Sequence, residues 1–579
     1  MFCTNILFLF LAAKYLLCDS QAPSELSYNF DLVIGGGSLS ALAAAITAAN
    51  VTKQLKSDLK IALIEPTDWP GGQLTASNVP PDFGPHNGKT VNLPQDFVSI
   101  LNAVAGPSWS TNPGKCWVSY KCFEAQKAAS YIRDLLKSFE PHLTVFYNTV
   151  IKATEVENSK IKKIVAIQRF PATNTTGYEY PLSKDFLDWY SYEPTTIFPS
   201  KSILKFIDPI VVIEGTELGD IMMSSGLSGV VQGVESPEET SDTTDSTCGQ
   251  SSVLPFHMYY HPDESKSDTE DDQYPSGNDY GYPFSMGNLN WAQIWTYRRV
   301  LGLGDGSSEH IYPEEISNQN YNNEYYGGYI LSVLSPSAKN SDAEWNGGLN
   351  TTVLSNLENR GYGWYRYLLD NSSSAKDTLT GKPLSPSLIS LSKEQVGTNH
   401  GLAKVPYLRD TRRSQYGIDH FRLLYYHLNY SNPEDNGATA YHFPDTVGIG
   451  DYHYADIHGL DAEHVCADKS YPEYIICCDH PVKPYYLPFR AITFEGMDNL
   501  LVAGKSMAQS FLANAATRLH PIEWSSGAAA GAAAFGMIKG YNSHRSPWGT
   551  TQQVYDKHIH QLQQLLSSDI IKSPLSWKL

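Results

Sequence analysis

Residues 30–49 read FDLVIGGGSLSALAAAITAA: a short apolar run, three consecutive glycines and an alanine-rich stretch. Phe30 to Ile34 predict a buried strand, Gly35 to Gly37 a tight turn, and the residues from Leu39 to Ala49 a helix. In this order the small residues acquire distinct tasks. Gly35 permits the turn, Gly37 lets backbone approach a pyrophosphate, Ser38 lies between turn and helix, and Ser40 holds the third small position, where helix packs closely on strand. The phosphate would rest on the helix N-terminus. Downstream, Lys60 to Ile64 predict a second strand ending in Glu65, where a carboxylate can accept hydrogen bonds from a ribose diol. The interval to Glu65 exceeds the usual ~20 residues, and a longer helix or loop containing Asn50 absorbs it. An acidic ribose partner favours FAD or NAD over NADP.

Working outward, 579 residues accommodate one large α/β enzyme with an inserted domain. Forty-two Lys and Arg against 61 Asp and Glu give a net charge of −19, which repels phosphate backbones and argues against a nucleic-acid partner. A hydrophobic content of 41% suffices for a sizeable core, and eight cysteines are too few for a disulfide scaffold. Residues 1–22 have the pattern of a secretory signal peptide, although the segment before Lys14 carries no Lys or Arg. No segment supplies the ~20 apolar residues of a membrane span. Glycosylation triplets begin at Asn50, Asn174, Asn350, Asn371 and Asn429. Together these features predict a secreted, extracellular glycoprotein with disulfides among its remaining six cysteines, Cys116 and Cys122 forming a local bridge.

The far end of the chain returns to the same chemistry. Asn499 to Lys505, NLLVAGK, predicts a strand ending in Gly504, and residues 518–534, RLHPIEWSSGAAAGAAA, a glycine- and alanine-rich helix opened by Pro521. Further motifs lie between: EPTDWPGGQLTASNVPPD at 65–82, GKCWVSYKCFEAQ at 114–126, VVIEGTELGD at 211–220, TCGQ at 247–250, WTYRRV at 295–300, PYLRDTRR at 406–413 and VGIGDYHYADIH at 447–458. As a set these resemble the FAD-dependent oxidoreductases with a glutathione-reductase-like nucleotide fold, in particular the branch labelled xanthan-lyase-like. The resemblance implies FAD as cofactor and an α/β fold whose Rossmann-like FAD-binding domain is built from both ends of the chain, around an inserted α+β substrate domain. It places Gly71, Gly72 and Gln73 beside the isoalloxazine ring and Gly504 and Lys505 near the pyrophosphate or ribityl chain. It sets the helix start at Pro521 and Ile522 towards the flavin pyrimidine. Lys505 stands where relatives often carry Arg.

The expected organisation is a signal peptide (1–22), a first FAD-binding part (23–220), a substrate domain (221–484), a second FAD-binding part (485–545) and a helical tail (546–579). Leu143 to Val150 and Ile161 to Gln168 predict further strands of the cofactor domain, with the backbone of Val150 near the adenine.

For the chemistry, Arg518, His520 and Glu523 form one candidate cluster, His520 taking a proton as a hydride leaves the substrate. Asp451, His453, Asp456 and His458 form a second, although strand alternation would set Asp451 and His453 on the face opposite Asp456 and His458. Arg409, Arg412 and Arg413 offer either a clamp for a substrate carboxylate or structural ion pairs. His458, His464, Cys466, Cys477, Cys478 and His480 match no zinc spacing, and no metal is expected; Cys477 and Cys478 fit a redox pair or bridges to Cys466 and Cys248. The function expected is a secreted FAD-dependent oxidase of a small organic molecule with molecular oxygen as acceptor, the alternative being a non-catalytic binding or structural glycoprotein on the same fold. Oligomeric state is not legible.

Overall fold

The computed structural model describes residues 23–579 apart from 236, 264, 267–273, 275–282, 322, 333–344, 459–479 and 542–545. The expected signal peptide and His464, Cys466, Cys477 and Cys478 lie outside the described residues. Five parallel strands form the nucleotide sheet, in the order Leu500–Val502, Val211–Glu214, Leu32–Gly35, Ile61–Ile64 and Leu143–Phe146. Both faces of the inner strands are covered, so they read as near-continuous apolar runs, whereas the edge strand Leu143–Phe146 exposes Thr144. Alternation then assigns the residues. Leu32, Ile34, Ile61, Leu63, Val211, Ile213 and Leu501 face a helical layer. Val33, Ala62, Ile64, Val212, Leu500 and Val502 face a second sheet.

That second sheet has the order Ser24–Tyr28, Ser200–Ile207, Lys160–Phe170 and Thr149–Glu157, antiparallel except for its first pair. The single strand expected over residues 143–150 is therefore two. The chain leaves the nucleotide sheet at Phe146, turns through Asn148 at φ 52°, and enters the second sheet at Thr149. Asn tolerates the left-handed region that such a turn needs.

The helical layer consists of Leu39–Gln54 and His520–Lys539. The second helix is apolar or small all round and buried along nearly its whole length, as expected of a helix with no solvent face. The pair approach closely because a Cβ on Gly527 would overlap the Ser40 carbonyl oxygen, and one on Gly531 the Ala44 carbonyl oxygen. Here the expectation for Ser40 is corrected: its backbone packs on the C-terminal helix and its hydroxyl on Gly504, rather than on the strand.

Between the two ends, Arg298–Leu301, Ile316–Gln319, Phe256–Tyr260 and Ile389–Leu391 form an antiparallel sheet, flanked by Trp291–Tyr297 and Thr351–Asp370. Trp295, Trp364 and Tyr365 anchor its aromatic core, which also takes in Leu182, Phe186 and Trp189 from the helix at Leu182–Trp189 and Tyr190 just after it. In the tail, Val554, Leu562, Leu565 and Leu566 are fully buried against the helical layer. No helix among the described residues is long and apolar enough to cross a membrane.

The helix contact gives a direct test. Gly531→Ala should lower the unfolding free energy by about 1–3 kcal/mol in urea denaturation, because the added methyl meets backbone that cannot move aside. Gly361→Ala is the control for a helical glycine without positive φ, whose added carbon would meet nothing closer than 3.4 Å.

Candidate active site

The turn after Leu32–Gly35 carries its conformational demand at Gly37, with φ 106°, and not at Gly35. Gly35 ends the strand and is small because Ile221 and Thr216 press on it from the neighbouring segment. Ser38 caps the helix, its hydroxyl accepting from Ala41 N at 3.1 Å and donating to Gly215 O at 2.5 Å. Gly72 has φ 53°, and a Cβ there would come within 2.6 Å of Gly37 O and Ser38 Cα. The loop at Gly71 to Gln73 is thus pressed against the dinucleotide turn. Gln73 donates from Nε2 to Arg518 O at 3.1 Å, while its buried Oε1 has no hydrogen-bond partner.

Glu65 follows the second strand and is buried. Thr67 N and Thr67 Oγ1 reach its Oε1 at 3.3 and 3.2 Å. Burial pushes its carboxyl up to about 8, against the pull of hydrogen bonds from Thr67 and Gly37. Thr149 N donates to Glu65 O at 2.8 Å, which ties the strand that carries Val150 to the backbone of this residue. A buried carboxylate served by so few donors, an orphaned Gln73 oxygen and a glycine turn at a helix start fit the ribose, flavin edge and pyrophosphate of a dinucleotide.

Gly504 N donates to Ser526 Oγ at 3.0 Å. Lys505 is buried between Glu217, at 2.6 Å, and Glu523, at 2.8 Å. Burial lowers its ammonium, and the charges of Glu217 and Glu523 more than restore it, so that it stays protonated. Lys505 and Glu523 thereby form a buried ion pair. Glu523 is fully buried, and Pro521 and Ile522 begin the helix in the core.

His520 is fully buried. Its Nε2 donates to Val79 O at 3.0 Å and its Nδ1 accepts from Asp82 N at 3.4 Å. Burial holds the imidazole down at about 3, hence neutral. Both ring nitrogens are already engaged with backbone, an arrangement that fixes the loop at residues 79–82.

The open space lies next door. A cavity of about 450 Å³ is bounded by Val79, Asp82, Tyr297, Arg298, Glu324, Tyr407, Arg409, Tyr452, His453, Asp456, His458 and Arg518. Arg298 binds Asp82 through both carboxylate oxygens, at 2.7 and 2.9 Å, and Arg409 binds Glu324 at 3.0 Å. Arg518 donates to Tyr407 Oη at 2.7 Å and pairs with Asp456 at 3.3 Å. His458 Nε2 lies 2.7 Å from Asp456 Oδ2, and Tyr452 donates to the same oxygen at 3.0 Å. Burial alone would raise Asp456, but His458 and Arg518 hold its carboxyl well below the usual range.

Of the DYHYADIH residues, Asp456 and His458 therefore share one group and His453 faces the same cavity. Asp451 turns away to accept from His86 N at 2.6 Å. The segment is irregular, not a strand, and that bend joins what alternation would separate. Arg412 and Arg413 lie elsewhere, on carbonyls and on Glu235. Sequence reasoning missed Asp82, Tyr297, Glu324, Tyr407 and Tyr452, because no local spacing links them.

Residues 31–176 and 196–545 match the family described as FAD dependent oxidoreductase. The chain belongs to that family. Its cofactor is FAD, and the oxidoreductase could hold it with Gly35, Gly37, Ser38, Glu65, Gly71, Gly72, Gln73 and Gly504 as placed above. Among solved structures, the oxidoreductase is similar to a geranylgeranyl bacteriochlorophyll reductase-like protein from Thermoplasma acidophilum, at 12% identity and a TM-score of 0.33 over 94% of this chain and 84% of that one. It is also similar to L-proline dehydrogenase from P. horikoshii (11%, TM-score 0.16, 37% of this chain and 25% of that one). A third is p-nitrophenol 4-monooxygenase PnpA from Pseudomonas putida DLL-E4 (8%, TM-score 0.22, 40% and 48%). The matches thus span about a quarter of the dehydrogenase and about half of the monooxygenase. A search of curated proteins finds no match.

The Glu65 carboxyl binds its proton more tightly in the folded chain, at about 8, than at its ordinary 4.5. Between those values rising pH therefore weakens the FAD-free fold through this group. Ribose hydroxyls donate to the ionised form. FAD binding at pH 7 should then release about one proton, measured by titration calorimetry in two buffers of different ionisation enthalpy. Glu65→Gln should abolish the release, and proton uptake by the wild type would contradict the ribose assignment. Gly37→Val should yield folded protein without flavin, read from its absorption spectrum.

Proposed function

We propose that the protein is an extracellular FAD-dependent oxidase of the xanthan-lyase-like branch, which oxidises a small polar organic molecule and uses molecular oxygen as acceptor. The observation that carries this reading is the cavity of about 450 Å³ at Arg518, the residue whose carbonyl receives Gln73 from the cofactor loop. Bound FAD supplies the two-electron acceptor. Three guanidinium–carboxylate pairs and several tyrosine hydroxyls suit a substrate rich in hydrogen-bonding groups.

His458 is the proton acceptor in this proposal. Asp456 holds its Nε2, which leaves Nδ1 to receive the proton, and Arg518 and Tyr452 hold Asp456. His520, with both nitrogens on backbone, keeps the cavity wall in place.

Export is supported by the Cys116–Cys122 disulfide and by the disulfide-bonded Cys248. Among the glycosylation triplets, Asn174 and Asn429 are exposed. Asn50 donates from Nδ2 to Ile570 O and is half-buried.

The test is anaerobic bleaching of the bound flavin by a panel of amines, amino acids, sugars and phenols, followed by peroxide detection on readmission of air. A panel that leaves the flavin oxidised throughout, or reoxidation without peroxide, would count against the oxidase. With the substrate so found, His458→Ala should slow flavin reduction by about 10²–10⁴ and His520→Ala by a few-fold at most. The reverse ranking would return the base to His520.

A further inference from the structure

Five of the nine buried arginines among the described residues have carboxylate partners: Arg298 has Asp82, Arg299 has Glu315, Arg409 has Glu324, Arg413 has Glu235 and Arg518 has Asp456. Carbonyls and the Gln232 amide occupy all three nitrogens of Arg412, while Arg360 donates to Glu324 O and Arg422 to Glu239 O and Ser241 O. Among the described residues Arg169 alone combines a buried, unpartnered terminal nitrogen with the lack of a carboxylate partner. It is 2% exposed, and its hydrogen bonds go only to backbone: Nε to Asn148 O at 3.2 Å and Nη2 to Pro66 O at 2.5 Å. Its Nη1 is buried without a hydrogen-bond partner, and no described carboxylate pairs with it. Burial pushes the guanidinium down to about 10, with Tyr178, Tyr190, Asp185 and Asp68 opposing only part of that fall. A buried cation with an unused donor calls for an acceptor that arrives from outside the chain.

Location says which. Pro66 follows Glu65, and Asn148 precedes the strand that carries Val150. The ring of Trp189 lies 3.9 Å from the guanidinium carbon. Pro66 and Trp189 both line a narrow cavity that runs to Gly36 and Gly37 at the dinucleotide turn. Trp189 belongs to residues 177–195, the stretch that the family match leaves out.

We propose that Arg169, stacked beneath Trp189, is a binding residue for the adenylate half of FAD, donating through Nη1 to an acceptor of that half and supplying a positive charge towards the diphosphate. This rests on FAD as the cofactor and adds to it a contact built partly from a segment outside the family's matched region.

The experiment uses the full chain carrying Arg169→Met, Arg169→Lys or Trp189→Leu. FAD affinity is measured by flavin fluorescence, ADP affinity by competition with FAD, and thermal unfolding with and without FAD. Arg169→Met should weaken FAD and ADP by the same factor, about 10- to 100-fold for a charge-assisted bond. The FAD-free Arg169→Met chain should unfold at a temperature no lower than wild type, because an incompletely compensated charge has been removed. Arg169→Lys, which keeps the charge, should lose less in both. A purely structural arginine gives the opposite pattern, with a less stable FAD-free chain and unchanged ligand affinities, and that result overturns the proposal. So does loss of FAD affinity with ADP affinity unchanged. If Arg169→Met fails to fold, equal FAD and ADP affinities in Arg169→Lys and wild type would likewise overturn it. Failure of the wild type itself to bind FAD would instead strike the cofactor.

Discussion

Two helices that touch backbone to backbone hold this molecule in register. Leu39–Gln54 follows the dinucleotide turn, His520–Lys539 lies almost 500 residues away, and Gly527 and Gly531 leave no room between them for even one methyl group. Dispersion falls steeply with separation, so close-packed backbones gain contacts that larger side chains would hold apart. The same approach fixes the cofactor loops. Ser40 meets Gly504, Gly504 meets Ser526, and Gln73 reaches Arg518 just before the C-terminal helix begins.

The polar interior answers a second constraint. Burying a charge is costly unless it is paired, and this chain buries many. Around the cavity the solution is local neutrality, with Arg298, Arg409 and Arg518 each facing an acid. Such pairs set hydrogen-bond geometry without leaving a large net field. At the cofactor loops Lys505 lies between two glutamates, and Glu65 keeps its proton because little near it stabilises an anion. Much of the interior is thus organised pair by pair, while Arg169 and Arg412 rest on backbone carbonyls.

Much of the nucleotide sheet was legible because its signals are local: a run such as LVIG, a turn of glycines and an alanine-rich helix lie within twenty residues. The role of each small residue was less so. Gly35 and Ser40 are small for the sake of Ile221, Gly504 and Gly527, which no window around residue 35 contains. The break at Asn148 was hidden because both flanking strands are apolar, and periodicity does not mark a change of sheet. The cavity was largely illegible. Its walls come from residues near 80, 300, 324, 407, 455 and 518, and the bend that brings His453 to the cavity of Asp456 and His458 depends on tertiary contacts, not on strand propensity. His520 attracted attention as a titratable residue at a helix start, yet its role follows from the two backbone groups it meets.

The placement of the nucleotide sheet's outermost strand, Leu500–Val502, bears on how the polypeptide reaches this state. Synthesis delivers the amino-terminal half of the dinucleotide fold early, but its helix Leu39–Gln54 keeps a bare apolar flank until residue 531 has emerged. At ~5–20 residues per second this interval lasts from about 25 seconds to about a minute and a half. Contacts of such long sequence separation must await closure of a very large loop, which slows folding and leaves adhesive surface open to chaperones or to neighbouring nascent chains. The aromatic inserted unit, whose sheet pairs within residues 256–391, has no such wait and can consolidate first. Assembly of the flavin-binding half is in that sense a late, whole-chain event, and the cell sees the cofactor site only after almost everything else has been made.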